Sequence, residues 1–398
     1  MWFLVFDGAI SPRGYISSVH ILTLTPFYPT ASDDAAGCFI AEPLRVMREF
    51  GVESCTVAVR AFYKGRMHPN PTAPSANWIR YPCIPSGIGL ASAGAFLYTR
   101  LISKVRKLHR SQRIDLIHAH SALPCGHAAV LLSQELRIPC VVTVHGLDAF
   151  FGKQVRGFSG ERCKRISQFV YRSASRVICI SDNVADQVMQ GAAAPVNTTV
   201  IYNGVDSGLF SPSGNNLVPA TMLSVGNLIP IKSHELLLRA VAAIQPRYPN
   251  LSLEIIGDGP ERSRLTRLAA DLNLGGRVHL LGRQSRNQVA EAMRRCEIFA
   301  LPSRYEGLGC VYLEAMSSEK PTIACRGQGI EEIIRHATNG WLIRPDDLAG
   351  LIDGLSQLLQ SAHLRQQIGS AARRTILQGL TLTHQAARLA EVYRECSA

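Results

Sequence analysis

Residues 299–316 read Phe-Ala-Leu-Pro-Ser-Arg-Tyr-Glu-Gly-Leu-Gly-Cys-Val-Tyr-Leu-Glu-Ala-Met, and the fold is decided here. The run 298–301 is short and apolar, as a buried strand is. Pro302 and Ser303 turn it into a loop, Glu306 stands at the loop tip, and Gly307, Leu308 and Gly309 lead into a helix that carries a second acid, Glu314. Glycine lets backbone N–H groups come close to a ligand, and a helix start turns partial positive charge outward, so the loop suits an anion such as a diphosphate. Eight helical residues advance about 12 Å, the reach of a sugar, a diphosphate and a ribose in line. Carboxylates accept hydrogen bonds from hydroxyl pairs, which fits Glu306 to a sugar ring at one end and Glu314 to a ribose at the other. Taken alone, the spacing fits an ordinary capped helix with one exposed glutamate equally well.

The pattern Ser-Arg-Tyr-Glu-Gly-Leu-Gly-x3-Leu-Glu-Ala-Met over 303–314 and its two following residues resembles the signature of the retaining family-4 glycosyltransferases of the GT-B fold. The resemblance runs from Val19 to Arg394 and is strongest over 221–341. It implies an α/β chain of two Rossmann-like domains facing each other across a cleft, with a C-terminal helix returning to the first domain. The expected divisions are an extension over 1–18, an acceptor domain over 19–206, a linker over 207–219, a donor nucleotide-sugar domain over 220–378 and the returning helix over 379–398.

Working outward, the donor half restarts with a strand at 221–225, followed by Gly226, Asn227 and, five residues on, Lys232 just ahead of a helix that Ser233 is expected to cap. A lysine there adds its charge to the helix end facing a phosphate. The family pattern Gly-Arg-Leu-x-x-x-Lys supports that role, yet Asn227 stands where the arginine is expected. Either another base such as Arg304 or Arg326 compensates, or diphosphate stabilisation falls. Strands follow at 251–257, 278–282 and 321–324; the backbone near Arg283 is where the family reads the nucleobase, and 326–332 supplies another glycine loop, with Glu331 where the family more often has proline.

In the first half, a strand at 19–25, a loop ending at Gly37 and a helix over 40–50 open a nucleotide-type βα unit, so Gly37 is assigned to the cleft. Further strands are expected at 53–60, 116–118, 139–144, 176–180 and 200–206. The 139–144 strand ends on His145-Gly146-Leu147-Asp148, at the sheet end where open α/β folds bind ligands, and the resemblance lays His145 against donor sugar and diphosphate. His118, His120 and His127 lack an Asp-x-Asp partner, so no metal is expected. Residues 88–98 are apolar and run into a basic helix bearing Arg100, Lys104, Arg106, Lys107, Arg110 and Arg113, a pattern that suits either an anionic membrane surface or a plain solvated face.

The 398 residues carry a net charge of +12, of which +8 lies in residues 1–215, and this favours acidic partners. Nucleic acid ranks last among them, for want of a matching motif. Eleven cysteines without a Cys-x-x-Cys pair read as reduced thiols of a reducing, cytoplasmic compartment. No run of eighteen apolar residues occurs, so a soluble or peripheral protein is expected. No Gly-x-Gly-x-x-Gly follows the first strand, which disfavours a Rossmann oxidoreductase.

The implied activity is transfer of a sugar from a nucleotide-diphosphate sugar to a glycan or lipid-linked acceptor, with retention and without metal or other cofactor, in cell-surface or exopolysaccharide assembly. Lys232 and the N–H groups of 307–309 receive the diphosphate in that scheme; Glu306 holds the sugar, Glu314 the ribose, and His145 orients the donor. The alternative is a catalytically weak sugar-nucleotide-binding protein of a polysaccharide assembly complex.

Overall fold

The computed structural model describes residues 18–65, 67–85, 89–150, 155, 157–212, 218 and 220–398. The expected extension over 1–18 lies, except for Ser18, outside these residues, as do 213–217 and 219 of the expected linker. The first sheet holds β1 (Val19–Thr25), β2 (Val52–Ala61), β3 (Ala76–Tyr81), β4 (Leu116–His120), β5 (Cys140–Val144), β6 (Arg176–Cys179) and β7 (Thr198–Val200). The second holds β8 (Thr221–Val225), β9 (Ser252–Ile256), β10 (Val278–Gly282), β11 (Ile298–Ala300), β12 (Thr322–Cys325) and β13 (Trp341–Ile343). Their orders are β3-β2-β1-β4-β5-β6-β7 and β10-β9-β8-β11-β12-β13, and the paired strands run parallel. Central strands such as Cys-Val-Val-Thr-Val of β5 are buried throughout, as helices on both faces of a parallel sheet require.

Strand order reverses between β1 and β4 in one sheet and between β8 and β11 in the other. At such points the loops leaving the strand ends splay apart and open a crevice. The His145 turn leaves β5, and the Glu306 loop leaves β11.

The helix Leu382–Ser397 lies on the first domain. Ala386, Leu389, Ala390, Val392 and Tyr393 pack with Ile40, Leu44 and Met47, and Tyr393 Oη meets His118 Nδ1 at 2.7 Å. Each large apolar side chain so buried contributes about 1.5–3 kcal/mol. This docking also accounts for the strand expected at 200–206, of which only Val200 is in the ladder. Ile201 N–H still donates to Cys179 O of β6 at 2.9 Å, but Gly204 N–H bonds Gln385 Oε1 at 2.8 Å and Val205 exchanges backbone bonds with Leu380 and Leu382, so from 204 on the stretch pairs with the incoming C-terminal segment.

The apolar run expected as an anchor is consumed by the core. Ala91, Ala93, Leu97 and Leu101 of the helix Leu90–Ser111 are buried, leaving Phe96 exposed beside the basic face. Among the described residues, no helix is long and apolar enough to cross a membrane. All eleven cysteines are free thiols.

Candidate active site

The loop after β11 and the turn before the helix His234–Ile244 put Lys232 and Glu306 in direct ion-pair contact, both largely buried. Ser303 Oγ donates to the same Glu306 oxygen at 2.9 Å. Gly226 lies beside the Lys232 stem: a Cβ built on it would be 3.7 Å from Lys232 Cδ. Asn227 is exposed at the turn. Ser233, expected as a cap, instead has φ 53° and makes no side-chain cap.

From the first domain, the His145 turn comes against this loop backbone to backbone. A Cβ on Gly307 would lie 2.6 Å from the His145 carbonyl oxygen, and one on Gly146 would lie 2.9 Å from Gly307 Cα, so only glycine permits the approach. Ser181 Oγ donates to the Gly307 carbonyl at 2.6 Å. Lys232, Glu306, Gly307 and the His145 turn therefore lie against one another at the meeting of the two domains. Leu308 is fully buried beneath it, and Gly309, at φ 81°, starts the helix Cys310–Ser317. Gly37, at φ 70°, starts the helix Cys38–Val46 and packs on the Phe27 backbone, where a Cβ would be 2.6 Å from its carbonyl oxygen.

His145 is wedged between Phe39, at 4.9 Å between ring centres, and His120, whose Nδ1 meets His145 Nε2 at 3.0 Å. Burial holds all three histidines of this group neutral: His118 and His145 are each drawn down to about 3, and His120 is drawn well below its ordinary value by burial and by its two histidine neighbours. Asp148 is the counterweight, pushed up to about 7 by burial although the His145 N–H donates to its Oδ1 at 2.8 Å.

A histidine with a depressed folded pKa makes stability fall with acid. Below 6.5 the unfolded chain binds a proton that the folded one refuses, and the loss continues until the folded value is reached. His120→Gln is therefore expected to flatten the decline of unfolding free energy by about one proton, roughly 1 kcal/mol per pH unit below pH 6.5. Urea titrations of both proteins at several pH values between roughly 7 and 5 check this, and parallel curves would refute it.

Two assigned residues are engaged across the domain boundary. Glu314 pairs with Arg286, which also holds Glu42 of the first domain, with Nη2 at 2.8 Å from Oε1 and 3.0 Å from Oε2. The Arg283 side chain reaches Asp33 of the first domain. Arg304 and Arg326, the bases expected to stand in for the missing arginine, are each held by an acid: Arg304 Nε bonds Asp346 Oδ1 at 2.7 Å and Arg326 Nη1 bonds Glu331 Oε1 at 3.1 Å. The sequence reading missed Arg286, Glu42, Ser303 and Glu332, the last of which accepts the Asp182 and Asn183 N–H groups at 2.8 Å each from across the crevice. Among the described residues, no group of three or more His, Cys, Asp or Glu side chains is arranged to hold a metal ion.

Two facing parallel sheets with such a crevice define the GT-B class, and the comparisons agree. Residues 53–209 match the Glycosyltransferase Family 4 model and 209–375 match Glycosyl transferases group 1. An uncharacterized glycosyltransferase of Methanocaldococcus jannaschii is 31% identical over 265 residues, 66% of this chain and 71% of the relative. The N-acetyl-alpha-D-glucosaminyl L-malate synthase of Bacillus anthracis is 27% identical over 289 residues, 70% of this chain and 74% of the relative. Among solved structures, sucrose-phosphate synthase from Thermosynechococcus elongatus superposes with a TM-score of 0.76 at 19% identity, covering 95% of this chain and 98% of that one. Anabaena HepE in complex with UDP-glucose gives 0.72 at 20% identity, covering 94% and 99%. The chain belongs to the group 1, family-4 glycosyltransferases.

Proposed function

We propose that the protein transfers a sugar, with retention, from a nucleoside-diphosphate sugar to a glycan or lipid-linked hydroxyl, without metal, in cell-surface or exopolysaccharide assembly. The observation that carries this reading is the Lys232 and Glu306 pair set against Gly307, with the His145 turn closing the same crevice. Breaking the anomeric bond leaves negative charge on the diphosphate and positive character on the sugar. Lys232 and the N–H groups of 307–309 neutralise the first. Glu306, released from Lys232 as the diphosphate takes the ammonium, accepts the sugar hydroxyls. His145, held neutral, orients the donor. Glu314, whose Oε1 is taken by Arg286, keeps Oε2 for the ribose, and Gly226, Asn227 and Arg283 border the nucleotide. The departing phosphate removes the acceptor proton on the same face. That HepE was solved with UDP-glucose supports a nucleotide-sugar donor.

The exposed basic residues Arg100, Lys104, Lys107 and Arg110 beside Phe96 suit peripheral contact with an anionic membrane on the cytoplasmic side. With Arg304 and Arg326 both held by acids, Asn227 leaves Lys232 as the main cation for the diphosphate, which favours as second reading a sugar-nucleotide binder of low turnover.

The test is a screen of nucleotide sugars with the purified protein, reading melting temperature, donor hydrolysis and the anomeric configuration of the product by NMR. One donor is expected to raise the apparent melting point and to be cleaved at an unchanged rate in EDTA. Stabilisation without any turnover selects the second reading, and no response to any donor refutes both.

A further inference from the structure

A cleft of about 980 Å³ opens beside the crevice, against the first sheet. One wall is the end of β2 and the turn Phe62–Lys64, with Trp78 and Tyr81 of β3; the opposite wall is Ser121 with Leu147 and Asp148 of the His145 turn. Arg283 of the second domain closes it.

The charges on these walls do not cancel. The acids are already engaged: Asp33 pairs with Arg283, and Asp148 accepts the His145 N–H. Arg60 and Lys64 remain. Arg60 Nε and Nη2 donate to the Lys64 carbonyl oxygen at 3.0 and 2.6 Å, and Nη1 rests on the Met67 sulfur. Among the described residues, neither Arg60 nor Lys64 has a carboxylate partner. A half-buried guanidinium that lines the cleft and is fixed by a carbonyl has already lost the freedom that binding an anion would otherwise cost, and its remaining N–H groups are the ones an anion would take. Beside it, Trp78 and Tyr28 stand edge to face at 6.5 Å, and the Tyr28 hydroxyl is tied to Pro74 O at 3.0 Å, which gives the cleft a rigid apolar flank for a carbon skeleton.

We propose that the acceptor carries an anionic group, a phosphate or phosphodiester, which Arg60 and Lys64 hold while its hydroxyl is presented at the His145 turn. This rests on the glycosyltransferase reading and adds the acceptor's chemical class to it. In the sheet order, β2 and β5 are three strand spacings apart, roughly 14 Å. The guanidinium of Arg60, held against the Lys64 carbonyl, lines the β2 side of that gap. The phosphate comes either free, on a soluble polyol, or as a lipid headgroup.

Calorimetric titration of the full-length protein with inositol, inositol 1-phosphate and monomeric dioctanoyl phosphatidylglycerol tests this. A phosphate-bearing probe is expected to bind about tenfold or more tightly than inositol, as one charged contact of 1.4 kcal/mol gives, and the preference is expected to vanish in Arg60→Gln/Lys64→Gln. Tighter binding of inositol 1-phosphate assigns the anion to a soluble acceptor, and tighter binding of the lipid assigns it to a headgroup. Lys64→Gln alone, at an exposed side chain, serves as a variant that keeps the fold, and it is expected to lose part of the preference. Equal binding of inositol and its phosphate, no binding of either phosphate probe, or a preference that survives in the folded double variant would each overturn the assignment. A wild-type protein that is stabilised by a nucleotide sugar yet shows no phosphate preference refutes the acceptor class alone. One that no nucleotide sugar stabilises refutes the donor reading.

Discussion

Glu306→Gln and Lys232→Ala are each expected to lower sugar transfer by roughly 10²- to 10³-fold, the usual cost of removing one preorganised electrostatic partner from a reacting centre, while the folded structure persists. Lys232 is the cation nearest the expected diphosphate, and Asn227 next to it supplies no charge. Arg304 and Arg326 stand in exposed ion pairs with Asp346 and Glu331 rather than beside Lys232 and Glu306. Glu306→Gln keeps the shape of the side chain and its bond with Ser303 Oγ, so its loss is expected in kcat more than in KM, as for an interaction that strengthens when charge develops on the sugar. Removing Lys232 spares Glu306 from burial without a partner only because Ser303 remains beside it, so melting is expected to drop by no more than a few degrees. Initial rates over a range of donor concentrations, with melting curves of the same preparations, check both variants. If the two keep near wild-type turnover, the crevice is not where the sugar is transferred.

How much of this was legible beforehand follows from the range over which each signal acts. The strands β1, β8 and β11 were readable because strands of a parallel sheet covered on both faces are short, mostly apolar and β-branched runs, in which the few polar residues are small hydroxyls or a single histidine. β3 was not, because Asn-Trp-Ile-Arg-Tyr at a sheet edge mixes polar and apolar residues, and β13, with three residues, is too short to show a period. The sequence placed Lys232 and Glu306 together through their likeness to known motifs, since 74 residues part them. Arg286 and Glu42 are 244 residues apart, and each looks like an ordinary charge on a surface helix until the two domains meet. Glu331 read as a departure from the family pattern; in the fold it receives the Gly327 N–H at 2.6 Å and Arg326, closing its own glycine loop.

Arg286→Met is expected to be the most destabilising change at the domain boundary, by about 3–5 kcal/mol, because it strands two buried carboxylates facing each other. Arg286 is 11% exposed, Glu42 13% and Glu314 8%, so water relieves little of that repulsion. The guanidinium also stacks on Phe210, 4.7 Å from the ring centre, and its backbone N–H donates to both Asp34 oxygens at 3.1 Å, so one residue joins the linker, the first domain and the donor helix. Burial already raises the Glu42 carboxyl, with Arg286 opposing the rise and Glu314 adding to it. Without Arg286 the rise is larger. A carboxyl whose folded pKa is raised keeps its full contribution below the unfolded value and loses it as pH climbs through the folded one. The penalty of Arg286→Met is therefore expected to be smaller near pH 5 than near pH 8, and Glu42→Gln added to it is expected to recover part of the loss. Urea unfolding of wild type, single and double variants at both pH values measures this. A penalty that does not change with pH would mean that the three side chains are not coupled as charges and that the boundary is held by apolar packing alone.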